Sequence, residues 1–364
     1  MPQRILYLIN PISGTQKKKG IARLAEKLTD RSVFDVEIRH TEYAGHASLL
    51  AAEAAAQGYD IVVAVGGDGT VNEVARSLVH THTALGIVPC GSGNGLARHL
   101  RIPMQPRQAI ALLNEHVVHD LDYGTINDRP FFCTCGVGFD AFISEKFAGA
   151  GRRGVLTYIE NTLREGLSYK PQTYTIEDDS GRTAGRAFLI ACANASQYGN
   201  DALIAPHASM KDGLLDVVVM EPFNAAQAPQ IALQLFTGTL PENRLVHTIR
   251  TDHLHIQREG EGVAHCDGDP FITGSSIEVK LHHCQLRVVV NNHPPTTPLQ
   301  QPLDLLRRIP TYFKDWGNKP EAWLNKTITR LKDKVMELRW GDEGGGDTFP
   351  PIRRCLALFF YPGG

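Results

Sequence analysis

The chain is poor in features that would assign it to a secreted, nucleic-acid-binding or membrane-spanning class. Its seven cysteines (90, 133, 135, 192, 266, 284 and 355) are odd in number and form no Cys-x-x-Cys pair. This argues against a disulfide framework and fits a reduced, cytoplasmic protein. Neither sign of charge dominates: 37 Lys and Arg stand against 39 Asp and Glu, a net charge of −2, which argues against bulk nucleic-acid binding. No run of eighteen apolar residues occurs, and the apolar stretch 5–9 after Met1-Pro2-Gln3-Arg4 is a strand start too short for a signal peptide. The P-loop pattern Gly-x-x-x-x-Gly-Lys-[Ser/Thr] is missing as well. What remains is 364 residues, 42% hydrophobic, enough for two domains with separate cores.

Two glycine-rich loops stand out against that background. Residues 61–65 are apolar and rich in valine, then break into Gly66-Gly67-Asp68-Gly69-Thr70-Val71-Asn72-Glu73-Val74. The pattern predicts a buried parallel strand entering a tight turn and a helix. Glycines at 66, 67 and 69 remove side chains that would keep a phosphate from the backbone, and permit the φ > 0 values at which N–H groups converge on an anion. Thr70 is expected to cap the helix. Asp68 would repel a phosphate unless it holds a magnesium ion or takes a proton from an attacking hydroxyl; the plain alternative is a turn residue. The second loop, Pro89-Cys90-Gly91-Ser92-Gly93-Asn94-Gly95-Leu96-Ala97-Arg98, follows the apolar run 85–88 and also opens a helix. Its glycines fall as Gly-x-Gly-x-Gly, not as the dinucleotide fingerprint. Together the loops put two helix N-termini beside one crevice at the carboxyl ends of successive strands.

The remaining pattern divides the chain in three. Strands at 5–10, 33–39, 61–65 and 85–88 alternate with helices at 21–29, 41–56, 70–80, 92–99 and 106–115, the rhythm of a doubly wound parallel α/β domain over 1–122. After a strand at 117–121, residues 123–293 read as short strands at 131–135, 173–177, 187–193, 214–220, 245–249, 254–258, 276–281 and 285–290. Helices near 153–166 and 224–237 interrupt them, which suggests an antiparallel β-sandwich domain. Residues 294–364 form a tail holding all three tryptophans. Within it Leu324, Ile328, Leu331, Val335 and Leu338 make a helical apolar stripe, for packing or for lying in an anionic lipid surface. A glycine-rich, flexible end follows. Lys17, Lys18 and Lys19 are either a solvated helix entry or positive charge near nucleotide phosphates.

The pair GGDGTVNEV and PCGSGNGLAR resembles the diacylglycerol kinase catalytic-domain family of bacterial diacylglycerol, sphingosine and ceramide-type lipid kinases. Further matching pieces are Asn10-Pro11-Ile12-Ser13-Gly14, Thr41, Gly138-Phe139-Asp140-Ala141, Pro206 to Asp216 and Asp267-Gly268-Asp269, together spanning about residues 4–290. The resemblance implies an ATP-dependent kinase, its ATP site in the interdomain cleft, that transfers the γ-phosphate of Mg-ATP to a lipid hydroxyl at a membrane surface. Asn10, Pro11, Ile12, Ser13, Gly14, Thr41, Gly66, Gly67, Asp68, Gly69, Thr70, Val71, Asn72 and Ser92 would hold Mg-ATP. Asp269, at the position of the family's glutamate and shorter by one methylene, would be the general base, with Asp68 as a second candidate. Asp140 would meet the lipid headgroup or serve as a cap at the domain junction. Asp212, with the carbonyls of Ser209 and Leu214, would hold a structural magnesium ion, although an ordinary Asp-Gly hairpin corner explains the same residues. Rival readings are NAD kinase, which shares the GGDGT loop, and a catalytically weak ATP- and lipid-binding regulator.

Overall fold

The computed structural model describes residues 2–11, 20–147, 169–224 and 226–293. The predicted helix at 153–166, residues 12–19 and the tail from 294, with its 324–338 stripe, lie outside them. Four parallel strands open the chain: β1 (Gln3–Ile9), β2 (Phe34–His40), β3 (Ile61–Gly66) and β4 (Ala84–Pro89), in the order β2-β1-β3-β4. Every residue of β3 and β4 is buried, as expected of strands covered on both faces. The helices α1 (Ile21–Leu28), α2 (His46–Ala56), α3 (Asp68–Leu78), α4 (Gly95–His99) and α5 (Pro106–Leu113) connect them. Ile5, Leu6, Val62, Val63, Leu85, Val74, Leu78 and Ile110 share one core with them, each contributing roughly 1.5–3 kcal/mol of apolar burial.

Beyond α5 the chain builds β5 (Val118–Ile126), β6 (Arg129–Phe131), β7 (Thr134–Gly138), α6 (Phe139–Phe147), β8 (Gln172–Asp178), β9 (Gly181–Ala187), β10 (Leu189–Ala193) and β11 (Leu215–Met220). There follow α7 (Ala228–Thr237), β12 (Val246–Thr251), β13 (His253–Arg258), β14 (Gly262–Cys266), β15 (Asp269–Thr273) and β16 (Ser276–Val289). A six-stranded sheet runs β12-β11-β10-β7-β14-β15, antiparallel throughout. Its Val137, Ile190, Cys192 and Val217 pack on Leu254, Ile256, Ile277 and Val279 of the other sheet, forming the sandwich core. Phe139, Ile143, Phe188 and Ile231 cover its outer face.

The parallel half and the sandwich share one sheet. β16 runs parallel to β4 at Val288 and Leu85, and antiparallel to β5 and β13, so the first sheet continues through β16 into β13, β8 and β9. Sequence periodicity divides this strand into 276–281 and 285–290 because its register against β5 shifts between His282 and Leu286. β14 and β15 escape the pattern entirely: GVAHC and DPFIT are short, with glycine, histidine and proline, and owe their strand state to sheet neighbours. No helix among the described residues is long and apolar enough to cross a membrane.

A second tie joins the halves at the end of α4. His99 Nδ1 lies 3.0 Å from Ser196 Oγ and accepts the Ser196 N–H at 3.1 Å. Burial, assisted by the Arg101 charge, pushes the imidazole down to about 4. The unfolded chain takes up a proton near pH 6.5 while the folded protein does not, so this group's stabilisation is full above that pH and is lost as pH falls toward 4. Lowering the pH from 7 to 5 is therefore expected to cost the wild type about 2 kcal/mol more than a His99→Gln variant. Urea unfolding at both pH values measures this; parallel losses would contradict it.

Candidate active site

The two glycine loops meet backbone to backbone. A Cβ on Gly91 would lie 2.6 Å from the Gly67 Cα, and the Cys90 N–H donates to the Gly66 carbonyl at 2.7 Å. Positive φ is not what these glycines supply: Gly66, Gly67 and Gly69 are absent from the left-handed positions, and Gly67 has φ −93. Their value is steric. At Gly66 a Cβ would fall 2.4 Å from Thr70 Oγ1, whereas Gly69 faces open space. Thr70 is not the helix cap that its position suggests. α3 begins two residues earlier, with Gly67 at the cap position, and Thr70 is buried with its Oγ1 accepting from Asn10 Nδ2 at 3.1 Å.

Asp68 spans the two loops. Its Oδ1 accepts the Gly95 N–H at 2.7 Å and its Oδ2 the Asn94 N–H at 2.9 Å, at the start of α4. Asn94, a residue that motif reasoning passed over, takes φ 52 and folds the loop on itself. Its Oδ1 accepts the Gly91 N–H at 3.0 Å and its Nδ2 donates to the Gly91 carbonyl at 2.9 Å. Glu73 plays the matching part at α2, accepting the N–H groups of Gly45 and Ala47 at 2.9 and 3.2 Å. Four helices, α1 to α4, thus follow the carboxyl ends of the parallel strands, and two of the starts, those of α2 and α4, hold a carboxylate of the chain itself. The starts of α1 and α3 have no side-chain cap; that of α3 lies against the second glycine loop, where its first-turn N–H groups are positioned for an anion.

The other expected nucleotide residues fall around this point unequally. Asn10 ends β1 with its N–H on the Val65 carbonyl, Pro11 is exposed just beyond, and the Thr41 N–H donates to the Ile9 carbonyl. Ser92 is half-buried on the second loop. Val71 offers little to a ligand, because its side chain is in the core and its N–H donates to the Gly67 carbonyl. Asn72 is buried on the same helix. Ile12, Ser13 and Gly14 lie outside the described residues.

The sandwich grips the same loop from the opposite side. The Gly93 carbonyl accepts the Asn200 N–H at 3.3 Å, and a Cβ on Gly199 would lie 3.2 Å from Gly93, while Arg98 Nε, from α4 of the parallel half, donates to the same carbonyl at 3.0 Å. Asp267-Gly268 forms the two-residue hairpin between β14 and β15 with φ 50 and 83, the geometry for which Asp-Gly is suited. The Asp267 carboxylate accepts the N–H groups of Phe132, Cys133 and Thr134 at 2.8, 2.7 and 3.0 Å. Burial pushes its carboxyl up to about 6 against those three donors. Burial also raises the Cys133 thiol, and the charges of Asp267 and then Asp68 raise it further, so the two acid-bearing turns converge on this residue. Asp269 opens β15, exposed, opposite Cys266.

Asp140 is engaged within the fold. Its Oδ1 accepts the Ala141 N–H at 2.8 Å, and its Oδ2 lies 3.2 Å from Tyr198 Oη and 3.0 Å from His265 Nε2. All three partners belong to the sandwich half of the chain. His265, wholly missed from sequence, accepts the Gly268 N–H on Nδ1 at 3.3 Å. That bond leaves Nε2 carrying the proton given to Asp140. It became recognisable only once β14 had formed beside the hairpin.

The expected magnesium residues do not fit a bound divalent cation. Asp212 Oδ1 accepts the Leu214 N–H at 3.2 Å, and Oδ2 pairs with Arg250 Nη2. Arg250 Nε also lies 3.7 Å from Asp216. Ser209 contributes its hydroxyl to the Lys211 N–H at 3.3 Å. A guanidinium already compensates the charge that a magnesium ion would need.

Residues 4–126 match the diacylglycerol kinase catalytic domain, and residues 133–289 match the YegS C-terminal NAD kinase beta sandwich-like domain. A diacylglycerol kinase of Mycobacterium tuberculosis is 30% identical over 300 residues, covering 80% of this chain and 96% of that protein. The chain belongs to the diacylglycerol kinase catalytic-domain family. A Bacillus subtilis diacylglycerol kinase is 28% identical over 266 residues, 67% of this chain and 82% of that protein. The crystal structure of a Bacillus anthracis diacylglycerol kinase superposes with a TM-score of 0.63 at 20% identity, covering 80% of this chain and 97% of that one. It supports the shared fold. In a kinase of this family, His265 would hold the Asp267–Asp269 hairpin against Asp140. We expect His265→Gln to lower kcat about 10- to 100-fold and to change the KM for ATP by less than about threefold. Equal losses in both, or none, would contradict that role; steady-state kinetics decides.

Proposed function

We propose that the protein transfers the γ-phosphate of ATP to the primary hydroxyl of a lipid, a diacylglycerol-like acceptor being the leading candidate. The observation that carries this reading is the meeting of the glycine loops under Asp68, with the start of α3 at that meeting point and without a side-chain cap. The β- and γ-phosphates would lie against the first turn of α3, between Gly67 and Ser92, with Asn10 and Thr41 bordering the nucleotide. Magnesium carried in by the nucleotide would supply charge neutralisation on the phosphate oxygens. The chain's own contribution is alignment: the hydroxyl, held at the sandwich side, meets the phosphate held at the parallel side.

Asp269 takes the hydroxyl proton. It is exposed at the mouth of the hairpin that Asp267 and His265 hold in place, and a carboxylate needs only hydrogen-bond reach to act as a base. Asp68, with both oxygens accepting backbone N–H groups, is assigned to holding the second loop and not to proton transfer. The lipid would be met at a membrane surface, with the 301–340 segment as the membrane-facing element. A chain ending at residue 293 should then sediment less with anionic vesicles; equal sedimentation would remove that role from the tail.

The test is transfer of labelled phosphate from ATP to diacylglycerol, monoacylglycerol, sphingosine, ceramide and NAD. We expect one lipid to be labelled. Asp269→Asn should lower kcat roughly 10²- to 10⁴-fold, and Asp269→Glu should keep most of it. Label on NAD would replace the lipid reading by the related kinase. Full turnover in Asp269→Asn would remove the base from this position.

A further inference from the structure

β16 carries an irregularity that the kinase reading does not use. Its register against β5 shifts between His282 and Leu286, and Cys284 within that shift has φ 53, a conformation a cysteine rarely adopts. Asp122 holds it from beneath. This carboxylate, wholly buried at 0% exposure, accepts the Cys284 N–H and the His283 Nδ1–H on Oδ1, each at 2.8 Å, and the Gly213 N–H on Oδ2 at 2.9 Å. Gly213 itself has φ 73, and a Cβ there would lie 3.3 Å from His283 Nδ1. The imidazole is therefore fixed in position and tautomer.

With the proton on Nδ1, the lone pair of His283 is on Nε2. That atom lies 3.4 Å from Cys284 Sγ, and both residues are exposed. A tetrahedral zinc ion with Zn–S of about 2.3 Å and Zn–N of about 2.0–2.1 Å holds its sulfur and nitrogen ligands about 3.6 Å apart. Among the described residues, Asp122, His283 and Cys284 are the one group of His, Cys and acidic side chains whose ligand atoms all lie within 4.8 Å of each other.

We propose that His283 Nε2 and Cys284 Sγ form a surface site for a borderline divalent cation of the zinc class, with Asp122 as the buried carboxylate that orients the imidazole. A nitrogen and sulfur pair disfavours magnesium, which takes oxygen ligands. On binding, the thiol proton is released to solvent, the thiolate sulfur forms the metal bond, and water fills the remaining positions; no electron is transferred. Through Asp122 and Gly213, the ion would tie the β16 irregularity to the loop that carries Asp212.

The test uses the full chain, freed of metal with a chelator and titrated with Co²⁺ and then Zn²⁺. The expected result is one Co²⁺ per chain with a sulfur-to-cobalt charge-transfer band in the near ultraviolet, displaced by Zn²⁺. Cys284→Ser should abolish the band, and His283→Gln should weaken binding at least about 10-fold. Asp122→Asn should weaken it about 10- to 100-fold. Because Asp122 is buried, the two exposed variants keep the proposal falsifiable if that variant does not fold. A His255→Gln variant, altered at a half-buried histidine of β13, should bind as the wild type does. Absence of the band in the wild type, which would leave only a thiol–imidazole hydrogen bond, or its persistence in Cys284→Ser, would overturn the proposal.

Discussion

The arrangement of the site depends on one carboxylate. Asp68, in the first turn of α3, accepts two backbone N–H groups from a loop 26 and 27 residues further along the chain. Charge-assisted bonds of this kind contribute roughly 1.5–3 kcal/mol each. They can form only because Gly67, Gly91 and Gly93 let the loops approach to distances that a Cβ would prevent. The same contact occupies the start of α4 with a carboxylate of the chain itself. Without it the Ser92 loop would keep the Cys90 bond to Gly66, its internal bonds to Asn94 and Arg98, and the contacts of Gly199 and Asn200 on the sandwich side.

The hairpin of the sandwich repeats the device. Asp267 stands beside a glycine and accepts three N–H groups from residues 132–134, more than 130 positions earlier in the chain. In each motif the aspartate next to glycine fixes backbone: Asp68 holds the second loop and Asp267 holds residues 132–134. His265 and Asp140 add a second fixed point to the hairpin. Both turns converge on Cys133, and β16 keeps the two halves in register by continuing the first sheet past β4.

How far the sequence revealed this follows from what kind of interaction fixes each part. The strands β1, β3 and β4 were visible because burial on both faces demands unbroken apolar runs, and the glycine loops because glycine marks close approach. The partner of Asp68 was not visible, since neither periodicity nor spacing reports a contact between one loop and another. Arg250 was invisible for the same reason: it meets Asp212 and Asp216 only once β11 and β12 pair, with Asp216 opposite Arg250. β14 and β15 lacked local propensity, which hid His265. The resemblance to the family led correctly to the fold, but it assigned Asp212 to a metal where this chain has a guanidinium.

The account stands or falls on the strut between the loops, and amide hydrogen exchange reads it directly. In the wild type the Asn94 and Gly95 amides should be protected. In Asp68→Ala both should exchange at least about tenfold faster, as expected from the loss of a charge-assisted bond, while the amides of β3 keep their rates. Unchanged protection at Asn94 and Gly95 would show that the second loop is held without Asp68, and would contradict the central claim.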